Sequence, residues 1–546
     1  MLMKPTALVA MGTLALWLAL ASPARAGDEP PAQGFAALEA AGVRIGEIRI
    51  RAEDIFDTAD PREDNGLFQL ANKLHIQTRP EVIERALLFR RGELVSVRLI
   101  EETERLLRGN RYLYDVKFSP LQVHDGVVDI EVVTRDTWSL DAGGNASRAG
   151  GANAGGIHIA EYNLLGTGTT VTLGRSKNVD RTSTALGLRN SRAFGTWADL
   201  SYSHAVNSDG RRDAASVIRP FYALDARWAA GVSASKDDRI DSVYQAGSIQ
   251  SEYRHRQTQA EAFAGWSQGL VDGWVHRYSL GVAVQDDAYL PEPGLVAPAV
   301  LPPDRKLRSP FVRWELTEDR FDRELNRNLI GRPEFFSLGL NATVQLGYAT
   351  RSLGSSDNAL LYTASVSRGF EFRAEDTLIA AAKLSGQFFD GQAHRQRLGV
   401  QAQYYRPQGP RWLLYAAGSL DTLTRPDPDE ALVLGGEDGL RGYPLRYQSG
   451  THRALFTLEE RFYTDLYVWR LFRVGGAAFV DAGRAWGGEM TNATNPGWLA
   501  NAGVGLRIVN ARSAFSNVLH LDIAMPLNSA PDVKRTQFLV KTRTSF

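Results

Sequence analysis

From about residue 137 to the C-terminus the chain is filled with short segments in which apolar and polar residues alternate. Within 377–389, Leu378, Ala380, Ala382, Leu384 and Phe388 share one face, while Lys383, Ser385 and Gln387 share the other. Leu398, Val400, Ala402 and Tyr404 oppose Gly399, Gln401, Gln403 and Tyr405, and Ala500, Ala502, Val504, Leu506 and Ile508 face away from Asn501, Gly503, Gly505 and Arg507. A period of two predicts strands, and each segment is about long enough to cross a bilayer when tilted. A soluble sandwich would put charges on the outer face, whereas here the polar face is rich in Gly, Ser, Gln, Asn and Tyr and suits a wet lumen. The expected fold is an all-β transmembrane barrel. Such a barrel must close, because an open edge in lipid leaves backbone groups unpaired at a cost of several kcal/mol each. Long connections at 290–306 and 424–451 read as extracellular loops, and the tight 223–226 as a periplasmic turn.

Upstream the period changes. Ile48 and Ile50 alternate with Arg49 and Arg51 as in a strand, and Leu67, Leu70, Ala71 and Leu74 have the spacing of one helical face. A further helix is predicted from Ser96 as N-cap to Gly109, with Leu99, Thr103, Leu106 and Leu107 inward. Helical pattern also runs over 82–89, and strands are predicted at 112–118 and 127–133 around His124-Asp125-Gly126. Together these predict one small α+β domain over 43–136, ahead of a barrel over 137–546. At the N-terminus, Lys4 precedes an apolar run from Ala7 to Leu20, and Ala24-Arg25-Ala26 offers small residues at a cleavage position. Residues 1–26 read as a signal peptide, since the run is shorter than the roughly 20 residues of a spanning helix, and 27–42 as a linker.

Composition narrows the function. Of 546 residues, 62 are basic and 62 acidic, a balance that gives no reason to expect nucleic acid as a partner. With no cysteine there is no disulfide framework, thiolate metal site or cysteine nucleophile. A mean hydropathy of -0.25 fits a barrel whose strands alternate. The His residues show neither zinc-hydrolase spacing, so no metal or other cofactor is expected. Gly265-Trp266-Ser267-Gln268-Gly269 matches G-x-S-x-G, but that elbow needs a strand, a sharp turn and a helix, and 260–267 continues the barrel alternation. The chain is therefore not expected to be an enzyme. An outer-membrane hydrolase and a passive channel, with the domain only as an anchor, are the rival classes.

One constellation carries more. Gly435-Gly436-Glu437-Asp438-Gly439-Leu440-Arg441-Gly442-Tyr443-Pro444 presents a single Arg on a glycine-rich loop. Downstream, Leu455, Thr457, Glu459, Arg461 and Tyr463 share one strand face, and Gly475, Ala477, Phe479 and Asp481 share the polar face of the next strand. Parity puts Glu459 and Asp481 in the lumen on adjacent strands, where an inward-folded loop can place the Arg441 fork between two carboxylates.

On these residues the chain resembles the outer-membrane protein-assembly superfamily, the BamA and TamA relatives with POTRA domains and a surface-antigen-type barrel, which also include two-partner-secretion transporters. Leu440-Arg441-Gly442-Tyr443 resembles the inserted-loop motif, and Phe479-Val480-Asp481-Ala482-Gly483 the wall motif, with Phe479 and Gly483 at its ends. Glu459 is similar to the second acidic partner, and 163–168 to an early-strand signature. Five segments follow the loop, as the family pattern requires. The last places Phe538, Val540 and Phe546 on one face, resembling a C-terminal assembly signal. The family barrel has about 16 strands, while the segments here count to about 20. The resemblance implies a barrel in the bacterial outer membrane, with a POTRA-like domain in the periplasm, that helps proteins insert or cross without ATP. The partners it implies are outer-membrane lipids, unfolded client outer-membrane or secreted proteins, and a periplasmic or inner-membrane protein reached through the POTRA-like domain.

Overall fold

A computed structural model describes residues 31–245, 248–373, 375–488, 497–512, 518–528 and 533–543. Among them, twenty strands close into one barrel, from Leu140–Ala149 to Gln537–Arg543, each paired antiparallel with its neighbour in the ring. The strand number is therefore 20, the number to which the alternating segments count, and not the about 16 that the resemblance implies. The segments hardest to recognise in the sequence are long strands, Trp228–Gln245 and Ser248–Val271, whose distal halves carry charges on both faces, as in Lys236 to Arg239 and Arg254 to Arg256. There the period of two has no apolar phase to reveal it.

Outside, Val232, Trp266, Leu280, Val312, Leu346, Val366, Val400, Leu420, Leu458, Val480 and Leu506 are exposed on strands that follow one another around the ring. A belt this continuous would be unfavourable in water and fits a bilayer. Inside, Ser201, Ser216, Ser233, Gln259, Gln285 and Ser309 line part of the lumen. The wall is not uniform. The last pair of strands before closure, Val518–Pro526 and Gln537–Arg543, registers seven positions. Across the closure, between Gln537–Arg543 and Leu140–Ala149, only Val540 opposite Arg148 is paired among the described residues.

One end of the barrel carries an α+β unit: α1 (Pro31–Ala40), β1 (Arg44–Glu53), α2 (Gly66–Leu74), α3 (Pro80–Glu84), α4 (Val97–Arg108), β2 (Leu113–His124) and β3 (Val127–Asp136). The sheet order is β1-β3-β2, with β1 parallel and β2 antiparallel to β3. Helix α4 begins where the Ser96 hydroxyl accepts from the Leu99 N–H and ends at Gly109. It buries Ile100, Thr103 and Leu107 against Phe89, Val116, Phe118, Ile130 and Val132; Leu106, expected inward, is only half-buried. Part of the expected linker is structured too: 31–40 is helix α1, because Phe35 belongs to the same core. In α2 the apolar face points outward, with Leu67 67% exposed, while Phe68 and Ala71 pack with Phe56 and Leu471.

The unit grips turns spread around the barrel. The Arg79 N–H donates to the Gly166 carbonyl at 3.0 Å, and the Asn163 amide donates to Thr78 at 2.8 Å. Glu102 accepts from the Leu224 N–H at 2.7 Å. The Arg105 guanidinium lies 4.4 Å from the Phe321 ring centre. Beyond the closure, Arg512 donates to the Ile55 carbonyl at 3.2 Å and pairs with Glu63. The unit thus lies across the mouth of the barrel. Segment 163–168, expected as an early-strand signature, is the turn that receives Thr78 and Arg79. Arg512→Ala leaves Glu63 buried without its partner, a change of about 3 to 5 kcal/mol when the site stays dry. We expect limited proteolysis to release the α+β unit from this variant at protease levels that leave the wild-type chain intact.

Candidate functional site: an arginine held against the inner wall

Between the strands Trp412–Thr424 and His452–Val468 the chain leaves the wall at the end opposite the α+β unit and folds back into the lumen. Its first part is held by Asp427, which accepts from Arg305 at 2.8 Å and lies 3.2 Å from Arg395. A short ladder, Leu432–Leu434 with Gln448–Gly450, forms the stem. At the tip, Gly435, Gly436 and Gly439 have φ of +125°, +58° and +119°, a backbone that only glycine adopts without strain. The Leu440 carbonyl accepts from the Gly436 and Tyr443 N–H groups at 2.9 and 3.2 Å, which folds 440–443 into a tight turn.

That turn aims Arg441 at the wall. Its Nε and one terminal nitrogen donate to both oxygens of Asp481 at 2.8 and 2.7 Å, and the other donates to Glu459 at 2.8 Å. A third carboxylate, Asp522, lies 3.6 Å away. Beneath the guanidinium is the Phe479 ring, 3.3 Å from Cζ to centroid, a geometry suited to a cation–π contact. Asp481 is fully buried and accepts two more bonds, from Thr457 at 3.0 Å and Asn501 at 2.8 Å. Glu459 also accepts from Arg461 at 3.0 Å, and Asp522 is paired with Arg507. The cluster therefore sets the guanidiniums of Arg441, Arg461 and Arg507 against the carboxylates of Glu459, Asp481 and Asp522. Formal neutrality and bidentate geometry are the conditions under which buried charges persist.

The flanking residues seat the arginine. Leu440 is buried with Leu434, Tyr443, Ala485 and Leu499. The Gly442 N–H donates to Asn501 at 3.2 Å, and a Cβ on Gly442 would stand 2.6 Å from the Asn501 Cβ. The Tyr443 hydroxyl lies 3.0 and 2.8 Å from the carbonyls of Ala500 and Asn528. Gly483 lets the strand pass beneath Leu434, where a Cβ would meet the Ala454 carbonyl at 2.9 Å. Farther along, the Leu445 N–H donates to the Gly150 carbonyl at 3.0 Å, and Glu437 lies 3.6 Å from Lys541. The loop therefore touches the strands on both sides of the weakly paired closure.

Leu440, Arg441, Gly442, Tyr443, Glu459, Phe479, Asp481 and Gly483 thus meet in one place. Phe538 and Val540 lie elsewhere, on the outward face of the last strand, and Phe546, like residues 1–26, falls outside the described residues. Asn501 and Arg507 were placed on the polar face by alternation but not joined to the site, and Asp522 follows when the same parity count is carried through 518–526. Ser267 of the G-x-S-x-G match is buried in the wall, with its hydroxyl donating to the His276 carbonyl at 2.8 Å.

A closed barrel with an apolar belt, its lumen entered by a loop locked onto the inner wall by one arginine, defines a membrane-spanning barrel built around an inserted loop. Residues 163–546 match the model of the Omp85 superfamily domain, and the chain belongs to that superfamily. No curated protein matches it in sequence. Among solved structures it is similar to BamA from Haemophilus ducreyi lacking POTRA domains 1-3, with 14% identity and a TM-score of 0.40 over 91% of this chain and 84% of that one. CdiB from Escherichia coli has 14% identity and a TM-score of 0.46 over 91% and 76%. The FrpB iron transporter from Neisseria meningitidis has 8% identity and a TM-score of 0.37 over 91% and 89%. Barrels of different types thus score alike, and the assignment rests on the family match.

Proposed function

We propose that this protein is an assembly or translocation barrel of the bacterial outer membrane, which helps other proteins insert into or cross that membrane without ATP. The observation that carries the reading is the closure, where among the described residues one paired position, Val540 opposite Arg148, joins the first and last strands. A joint with few paired positions can open to an incoming client strand, exchanging one ladder for another at little net cost. In this reading the α+β unit is a POTRA-type module facing the periplasm, and receives unfolded clients or a periplasmic or inner-membrane partner. The outward Phe538 and Val540 belong to the strand that delivered this chain itself to the membrane. Arg441 holds the inserted loop, and with it the barrel, in the working conformation.

The test is a reversible lock. Arg148→Cys with Val540→Cys puts two thiols at directly opposed antiparallel positions, roughly 4.5–5.5 Å apart at Cα, within the span of a disulfide. The natural chain has no cysteine to compete. Outer-membrane proteomics after depletion of the wild-type protein identifies the clients. The oxidised double variant is then expected to lose their assembly and to recover it on reduction. Normal assembly with the lock fully oxidised would overturn the reading.

A further inference from the structure

Between the barrel strands Arg305–Glu318 and Asn341–Ala349 the chain makes a second excursion, from the end that carries the α+β unit. The two wall strands pair directly with each other, so the hairpin between them, Phe321–Leu325 with Pro333–Ser337, is no part of the wall. Its tip is stiffly built. The Glu334 carboxylate accepts from the N–H groups of Arg327, Asn328 and Leu329 at 3.2, 2.9 and 2.9 Å, and Asn326 accepts from the Gly331 N–H at 2.6 Å. A turn tied by its own carboxylate is preorganised to hold one shape.

The tip lies inside the barrel. Ile330, 3% exposed, packs with Tyr405, Leu413, Tyr463, Ala477, Val509 and Val518, which lie on the inner face of six successive strands. The Tyr405 hydroxyl lies 3.2 Å from the Asn328 side-chain oxygen. The Arg327 carbonyl accepts from Arg461 at 2.8 Å. Arg461 stacks on Tyr415 at 3.7 Å and donates its Nε to one oxygen of Glu459, whose other oxygen accepts from Arg441. The two intruding segments, one from each end, are therefore joined by an unbroken run: Arg441, Glu459, Arg461, Arg327 carbonyl. The hairpin touches the α+β unit at both ends, with Phe321 at its base under Arg105 and Arg332 beside its tip donating to the Leu113 carbonyl at 3.4 Å.

We propose that the hairpin Phe321–Ser337 is a lumenal plug, and that Arg461 is the positioning residue that holds it in place only while the inserted loop is docked. The proposal rests on the preceding reading of the barrel as a protein-assembly pore. With Arg441 present, Glu459 divides its two oxygens between two arginines, and Arg461 keeps a terminal nitrogen for the Arg327 carbonyl. When Arg441 withdraws, both oxygens of Glu459 are open to Arg461, and a fork made through the two terminal nitrogens takes up the nitrogen that now donates to the Arg327 carbonyl. The tip then loses its bond to the charged cluster and is held by the packing of Ile330 and the Tyr405–Asn328 contact, and the α+β unit, in contact with the hairpin, experiences the loosening.

Single-channel recording of the full mature protein in planar bilayers tests this without any client. Replacing residues 326–332 with an Asn-Gly turn, which closes a two-residue hairpin, is expected to raise conductance severalfold. Arg461→Met is expected to raise the fraction of time spent in that higher-conducting state. Resistance of the folded barrel to SDS without heating confirms that each variant is folded. Wild-type conductance in a folded tip variant would overturn the plug. Coupling is read separately. Ile330→Cys supplies a unique thiol, and its labelling by a membrane-impermeant maleimide is expected to increase severalfold when Arg441→Ala is added. Unchanged labelling would overturn the link through Arg461. A chain that passes both tests while the closure lock leaves client assembly intact would keep the plug and discard the assembly reading, so the two fail independently.

Discussion

Arg441→Ala is expected to abolish client assembly while the barrel remains inserted in the membrane. The guanidinium fills the centre of a buried cluster and satisfies Asp481 with two bonds and Glu459 with one. Its removal leaves the cluster with one net negative charge, and breaking an inaccessible ion pair from one side costs about 3 to 5 kcal/mol. The loop bears that cost by leaving the wall, because the neighbouring strands keep their own backbone ladders. Asp481→Ala should act similarly from the other side, since it strands the arginine and unpairs Asn501 and Thr457. The measurement is the outer-membrane level of client proteins in cells carrying each variant, with the amount of folded barrel in the same membranes as control. Wild-type client levels in both variants would sink the locked-loop account.

Gly442→Ala should give the same phenotype without touching a charge. A Cβ at 442 would stand 2.6 Å from the Asn501 Cβ and 3.2 Å from the Pro526 nitrogen, both on elements that cannot easily yield. Overpacking of this kind costs about 1 to 3 kcal/mol, and the relief available is retreat of the loop, which carries Arg441 with it. Trypsin is the convenient probe: Arg441 is almost fully buried, and cleavage after it should appear in the Gly442→Ala protein and be absent from the wild type. A variant that resists trypsin and supports assembly would show that the turn tolerates a side chain there.

Much of this was legible from residue spacing. Alternation in 377–389, 398–405 and 500–508 exposed the wall, and counting parity from Glu459 and from Asp481 put both carboxylates on one inner surface. The serine hydroxyl at 96 and glycine at 109 bounded α4 correctly. What escaped has physical causes. Strand number was obscured where strands outrun the bilayer and both faces become polar, as at 236–239. The hairpin 321–337 has no clear period of two and sits in the lumen, where its apolar tip, Ile330, is satisfied by other inner-face residues and not by lipid. Helix α2 carried a clear apolar stripe at Leu67, Leu70 and Leu74, but a nine-residue helix can turn that stripe outward when one large ring, Phe68, secures the opposite side. Arg461 was visible on the right face, while its bond to a carbonyl 134 positions away belongs to tertiary contact alone.

The loop's two outer contacts, Leu445 with Gly150 and Glu437 with Lys541, fall on opposite lips of the sparsely bonded joint. A ring under tension parts where it is least stitched, and here a clamp straddles that place, fastened at its middle by a single cationic rivet. Parting the lips and drawing the rivet are then one mechanical event, so whatever force opens the wall must first be spent on Arg441.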